Sequence, residues 1–251
     1  MEQELQLAEK NGYHIIKELG KGSYGVTYLA QKDGVNYVIK FGLRPHDLDR
    51  EYIMMEDVVS YCYTHYACLV GVIRNGSDIV ALISKYVPGV PLDKIPINTL
   101  TANQIDTIAT QMLQALQAVH SLGVAHRDVK DSNIIYDTQK NLTTLIDFGI
   151  AINKPNKLGG SPPFIWGELY KFGDQDIPVM DFMIGDIFGL GVTLYVLISH
   201  KWPFPQTGQT FPKPFYNYGY YYELKTNVPT LSRKINNMIL NPHLEYNWNN
   251  W

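Results

Sequence analysis

Val124-Ala125-His126-Arg127-Asp128-Val129-Lys130-Asp131-Ser132-Asn133, followed by Thr144-Leu145-Ile146-Asp147-Phe148-Gly149-Ile150, is the part of the sequence that decides its reading. Together they bring Asp128, Lys130, Asn133 and Asp147 into one short span of chain. The alternative, two surface loops that match a pattern by chance, is weak against a pair this specific. Further along come Gly160-Ser161-Pro162-Pro163-Phe164-Ile165-Trp166-Gly167-Glu168, and then Asp186, which opens an apolar run through Ser199.

Towards the amino terminus the pattern changes. From Tyr13 to Lys40 apolar and polar residues alternate, which predicts short antiparallel strands; Leu69–Ile73 and Ile79–Tyr86 read as two more, joined at Asn75-Gly76. Asp49–Val59 reads as a helix between them. Beyond Val87-Pro88-Gly89 the apolar residues Ile105, Ile108, Ala109, Met112, Leu113, Leu116 and Val119 recur at helical spacing. Thr101 and Gln104 are placed there as a capping box, and Gly123 as the stop. The break near Val87 is therefore a hinge candidate.

Two features of the strand region bear on chemistry. Gly20-Lys21-Gly22-Ser23-Tyr24-Gly25-Val26 puts three glycines between two predicted strands. It reads either as a hairpin turn or as a flap whose backbone amides approach phosphate oxygens. A strand follows it, which disfavours a dinucleotide fingerprint. Lys40 ends its strand and Glu51 opens a helix; a strand-end lysine is usually solvated, and the sharper reading is an ion pair that holds Lys40 against phosphates. Glu56 is the competing anchor.

The 251 residues are 45% hydrophobic and 18% charged, enough to bury a core as one large domain or two small lobes. A net charge of −3 argues against binding nucleic acid by bulk positive charge. Cys62 and Cys68 are the only cysteines. They offer neither a disulfide framework nor a zinc-ligand set, read as ordinary lobe residues, and make a reducing compartment the simpler assumption. Met1–Lys10 is acidic and amphipathic, without the order of a signal peptide. The apolar run Ile187–Ser199 is too short to span a bilayer and reads as a buried helix, so no membrane span is expected.

On the two deciding stretches the sequence resembles the eukaryotic-type protein kinase superfamily, with its motifs in family order from Gly20 to Asp186. The resemblance implies an α+β, bilobal protein kinase fold: a small lobe over 1–87 with a five-stranded antiparallel sheet and one helix, and a larger, mostly helical lobe over 88–251. Asp128 is then the catalytic base that orients a substrate hydroxyl, and Lys130 neutralises charge on the moving phosphoryl group. Lys40, paired with Glu51, reaches the nucleotide's phosphates. ATP is further held by Gly20, Gly22, Gly25, Val26, Val38, Lys85, Val87 and Ile135. Mg2+ is held by Asn133 and Asp147, because crowded phosphate and carboxylate charges need a hard divalent cation. Ser161 bridges Asp128 and Lys130, Asp186 caps backbone amides of the catalytic loop, and Ser84 stands before the hinge, where a small side chain leaves room behind the adenine. Lys130, two residues after Asp128, matches the serine/threonine-specific pattern, so the implied partner is a protein with a Ser or Thr acceptor.

The sequence also departs from the family. Residues 150–160 contain no Ser, Thr or Tyr. Arg127 thus loses its usual phosphate partner, and the activity is expected to be independent of phosphorylation there. Lys154 and Lys157 read as a solvated loop or as a preference for acidic partners. Trp166 and Gly167 replace the family's Ala-Pro before Glu168, and no arginine near the end of the chain is placed to pair with Glu168. Only 65 residues follow Asp186, so the second lobe is expected to be shortened. Tyr216, Tyr218, Tyr220, Tyr221 and Tyr222 read as packing over a helical core, or as a docking surface. The expected location is cytoplasmic, or a host cytoplasm if the chain is a delivered effector. Two alternatives stand beside an active kinase. One is a pseudokinase or scaffold, which would lack one of Lys40, Asp128, Asn133 or Asp147; the other is a small-molecule phosphotransferase, disfavoured by the Gly160–Glu168 segment.

Overall fold

A computed structural model describes residues 2–22, 25–44, 46–59, 65–96, 98–204 and 221–246. The chain divides into two compact units, residues 1–87 and 88–251.

The first unit is built on five strands, β1 (His14–Lys21), β2 (Gly25–Lys32), β3 (Val35–Gly42), β4 (Leu69–Asn75) and β5 (Asp78–Lys85). They form one antiparallel sheet in the order β1-β2-β3-β5-β4. Alternation along β3 sends Ile39 and Phe41 to one face and Val38 and Lys40 to the other. Ile39 and Phe41 join Ala30, Ile73, Ala81 and Ile83 in a buried cluster. Two helices accompany the sheet where the sequence led us to expect one: α1 (Glu2–Lys10) and α2 (Asp49–Val59). The amphipathic character of the first ten residues is what builds α1, which seats Ala8, fully buried, with Leu5 and Leu7 against the Ile39–Phe41 cluster.

Cys68 is disulfide-bonded, a correction to its reading as an ordinary lobe residue. Sequence spacing alone does not say whether two thiols meet, and the cysteine count therefore carries no argument about compartment. Cys62 lies outside the described residues.

The second unit holds a small sheet, β6 (Val90–Pro91), β7 (Ile134–Asp137) and β8 (Leu142–Leu145), in that order, with the helices α3 (Ala102–Ser121), α4 (Val179–Ser199), α5 (Pro229–Leu240) and α6 (Pro242–Glu245). The Thr101–Gln104 capping box forms in both directions at the start of α3. Gly123 follows the end of that helix in the left-handed region at φ 76°. Helix α4 is the centre of the unit and packs against α3, α5 and α6. It starts at Val179, eight residues before the apolar run that marks it in the sequence, because Phe182 and Met183 already face the core. At 21 residues it is long and apolar enough to cross a bilayer by length and composition, yet two thirds of its most apolar window is buried inside the unit. The buried Asp186 near its middle, bonded to backbone amides, marks it as a core helix. Tyr221 packs beside Tyr195 and Phe204, and burial pushes its hydroxyl pKa up, whereas Tyr222 is exposed. Tyr216, Tyr218 and Tyr220 lie outside the described residues.

Candidate active site

In the second unit three side chains meet around one carboxylate, that of Asp128. Lys130 Nζ donates to Asp128 Oδ2 at 2.7 Å and to Ser161 Oγ at 2.8 Å, and Ser161 Oγ donates to Asp128 Oδ1 at 2.7 Å. Asn133 Nδ2 donates to the Asp128 carbonyl at 2.9 Å and to its Oδ2 at 3.0 Å. Both oxygens of Asp128 are thus fixed by neighbours, and its side chain keeps 14% of its surface open.

The loop that carries this cluster is held from below by Asp186. Its Oδ2 accepts from the His126 amide at 2.8 Å and its Oδ1 from the Arg127 amide at 2.7 Å. His120, in the last turn of α3, adds a contact from Nε2 to Asp186 Oδ2 at 2.9 Å, with both side chains essentially buried. Sequence reasoning missed His120, although a histidine among the buried residues of α3 was the available signal. His126 ties the loop to the residue that follows β8: Nδ1 accepts from the Asp128 amide at 3.3 Å and Nε2 donates to the Ile146 carbonyl at 3.0 Å. Its ring meets Phe148 edge-on at 4.9 Å.

Asn133 and Asp147 are neighbours for a topological reason. Asn133 directly precedes β7, Ile146 directly follows β8, and the pairing continues past Ile134–Leu145 with the Ile146 amide donating to the Asn133 carbonyl at 2.9 Å. Arg127 and Asp147 both sit at positive φ, 69° and 65°, conformations that cost non-glycine residues energy and recur at functional sites. Arg127 donates to the carbonyls of Ile150 at 3.2 Å and Lys157 at 2.8 Å, so backbone oxygens occupy the guanidinium for which the sequence offers no phosphate. Ile135, in β7, is half-buried.

In the first unit Lys40 Nζ and Glu51 Oε2 are 2.7 Å apart, with side chains 17% and 5% exposed. Glu56, the competing anchor, instead accepts from the Tyr52 hydroxyl at 2.6 Å. Register places Thr27 opposite Lys40, Leu29 opposite Val38, and Ser84 opposite Val38 on the other side, so these residues share one face of the sheet. Val26 is a correction: it pairs with Phe41 and lies on the opposite, core-facing side, because strand side chains alternate and Thr27 takes the position next to Lys40. Lys85 ends β5 exposed, and Val87 closes the unit half-buried. A Cβ on Gly25 would stand 2.5 Å from the Phe41 carbonyl oxygen, so only glycine lets β2 approach β3 there. Gly20 and Gly22 have open space where a side chain would project, so packing among the described residues does not require glycine at either. Ser23 and Tyr24, between them and Gly25, lie outside the described residues.

Comparison with known proteins decides the family, since the protein kinase domain model matches residues 13–217. The chain belongs to the protein kinase domain family. This kinase domain is 29% identical over 224 residues to serine/threonine-protein kinase D of Synechocystis sp., covering 78% of this chain and 43% of that one. It is also 29% identical over 209 residues to a probable serine/threonine-protein kinase of Clostridium acetobutylicum, covering 77% and 31%. The chain spans less than half the length of these curated relatives. Among solved structures, the Cydia pomonella granulovirus kinase PK-1 superposes with a TM-score of 0.74 at 20% identity, covering 95% of this chain and 91% of that one. The fold is the two-lobed protein kinase fold, a five-stranded antiparallel sheet with helices followed by a mostly helical unit.

Protein kinase domains generally use ATP and Mg2+, and the residues present suit both. Asn133 turns its amide nitrogen to Asp128, so its amide oxygen is the end that can ligate a cation, and Asp147, the residue after the Ile146 amide that donates to the Asn133 carbonyl, supplies a carboxylate. Among the described residues no group of three His, Cys, Asp or Glu could hold a metal alone. Two hard oxygen donors are what Mg2+ takes when water and substrate phosphates complete its shell.

The family departures also find partners. Glu168 pairs with Lys171 one turn on and is partly exposed, so it needs no distant arginine. Lys157 is engaged by Asp176 at 3.0 Å. Asp131, three residues after Asp128, has its carboxyl held above the usual range by burial, reinforced by the charge of Asp93.

Proposed function

We propose that the chain is an ATP-dependent protein kinase that transfers the γ-phosphoryl group to a serine or threonine hydroxyl and needs no phosphate on residues 150–160. The observation that carries this reading is the Asp128 carboxylate held by Ser161, Lys130 and Asn133. A carboxylate fixed at both oxygens orients an acceptor hydroxyl at small entropic cost and takes its proton as the oxygen attacks phosphorus. The new bond joins the acceptor oxygen to the γ-phosphorus, the bond from that phosphorus to the β–γ bridging oxygen breaks, and ADP leaves. Lys130 offsets negative charge on the group in transit, and Lys40, anchored by Glu51, pairs with the nucleotide's phosphates. Asn133 and Asp147 would hold Mg2+, which supplies charge that offsets repulsion among the phosphates. The open space around Gly20 and Gly22 suits backbone amides that approach those phosphates.

The test incubates the intact chain with γ-labelled ATP, Mg2+ and a generic protein substrate, with and without prior phosphatase treatment, and identifies the labelled amino acids. The expected result is label on Ser and Thr, undiminished by phosphatase. No transfer, with ATP and Mg2+ still raising the melting temperature, would replace this reading with a nucleotide-binding scaffold. Activity lost to phosphatase and regained when the chain is phosphorylated again would overturn its regulatory half.

A further inference from the structure

The Arg127 guanidinium is gripped on three sides. Nη1 donates to the Ile150 carbonyl at 3.2 Å, Nη2 donates to the Lys157 carbonyl at 2.8 Å, and Cζ lies 4.5 Å from the centre of the Phe182 ring, which is 2% exposed at the start of α4. The fourth side is Gly159. A Cβ there would lie 2.3 Å from Nη2, so the guanidinium fits only because that residue has no side chain. Gly160 then turns at φ 124°, where a Cβ would stand 2.6 Å from the Arg127 carbonyl oxygen, and the next residue is Ser161, hydrogen-bonded to Asp128. The same segment is bridged to its surroundings by reciprocal backbone bonds between Ala125 and Ile152, at 2.8 and 3.0 Å, and between Asn156 and Ile177, at 3.2 and 2.8 Å.

We propose that Gly159 and Phe182 are positioning residues that seat Arg127 on the Ile150 and Lys157 carbonyls, fastening residues 150–160 to the catalytic loop without a phosphoryl group. Resting on the kinase reading, this adds what does the fastening. Carbonyl dipoles and a ring face attract a guanidinium as a phosphate would, but no enzyme can add or remove them. The fastening is therefore permanent. It reaches the chemistry through Gly160 and Ser161, whose hydroxyl would otherwise drift from Asp128.

The two residues make different tests. In Gly159→Ala the new methyl meets the flexible end of an arginine, so the inexpensive response is for the guanidinium to leave its seat while the fold stays intact. In Phe182→Leu the ring face is lost and an apolar side chain is kept. Amide hydrogen exchange of residues 150–160 in the intact chain reads the fastening directly, and kcat and the KM for ATP read its consequence. Both variants are expected to exchange this segment about tenfold faster or more, with unchanged exchange in α3 and α5. They are also expected to lose about tenfold in kcat with KM for ATP within about twofold of the parent. Exchange in 150–160 equal to the parent's in folded Gly159→Ala overturns the proposal; if Phe182→Leu does not fold, Gly159→Ala alone decides. Faster exchange in a chain whose parent transfers no phosphate supports the fastening and overturns the kinase reading instead.

Discussion

Replacing Gly189 by alanine separates loop placement from stability. Gly189 lies in α4, and a Cβ there would stand 2.8 Å from the Val129 carbonyl oxygen and 3.3 Å from that of Phe164. Val129 is the residue between Asp128 and Lys130, so the backbone that must retreat, by about half an ångström to reach ordinary contact, is the backbone that aims both side chains. Overpacking of this kind costs about 1–3 kcal/mol, and the better helix propensity of alanine returns about 1 kcal/mol. The melting temperature of Gly189→Ala should therefore fall by roughly 0–8 °C. A misplacement of about 1 Å at a reacting group costs on the order of a hundredfold, so kcat should fall about ten- to a hundredfold. Gly191→Ala is the control. Its Cβ would meet Met238 Cβ at 2.7 Å and Ile239 Cγ1 at 2.9 Å, on the α5 side, so it should lose comparable stability and keep kcat within about threefold. Thermal melts and steady-state transfer of labelled phosphate on both variants make the comparison. Equal losses of kcat in the two, or full kcat in a destabilised Gly189→Ala, would refute the argument that α4 sets the position of the catalytic loop.

Ser161→Ala removes the hydroxyl shared by Asp128 and Lys130, and kcat is expected to fall about tenfold with little change in KM for ATP, read by initial rates. Asp131 gives a pH signature: its folded-state pKa is raised, so the folded chain holds the proton more tightly than the unfolded chain, and stability is lost as pH rises from the ordinary value of 3.8. Asp131→Asn should accordingly raise the melting temperature near neutrality and leave it unchanged at about pH 3, a difference that paired melts across pH will show or deny. Ser84, opposite Val38 in the sheet, should admit inhibitors with bulky adenine substituents. Ser84→Phe should abolish their binding and leave ATP turnover intact, as measured by competition assays.

What was legible in the sequence was local or periodic. Asp128, Lys130 and Asn133 lie within one loop, so their types and spacing could be read directly, and the alternation of β3 announced the strand that carries Lys40, although that strand runs on to Gly42. Lys40 and Glu51 are eleven positions apart and meet because a strand and the following helix leave few other arrangements. Contacts between distant segments leave no such trace. His120 reaches Asp186 across 66 residues, and the seat of Arg127 is made of two carbonyls, a ring and the absence of a Cβ, none of which a motif encodes. Val26 was misplaced by a single residue, which in a strand means the wrong face. Helix α1 went unread because an acidic amphipathic start shows its purpose only once the sheet face it covers is known.

The most direct test compares Asp128→Asn with the parent chain in γ-labelled phosphate transfer with ATP and Mg2+. The amide keeps the size of the carboxylate and gives up the proton acceptor, and the expected loss in turnover is about a hundred- to ten-thousandfold, with the melting temperature near that of the parent. A folded Asp128→Asn that transfers phosphate as fast as the parent would contradict the assignment of Asp128, and with it the account of how this chain works.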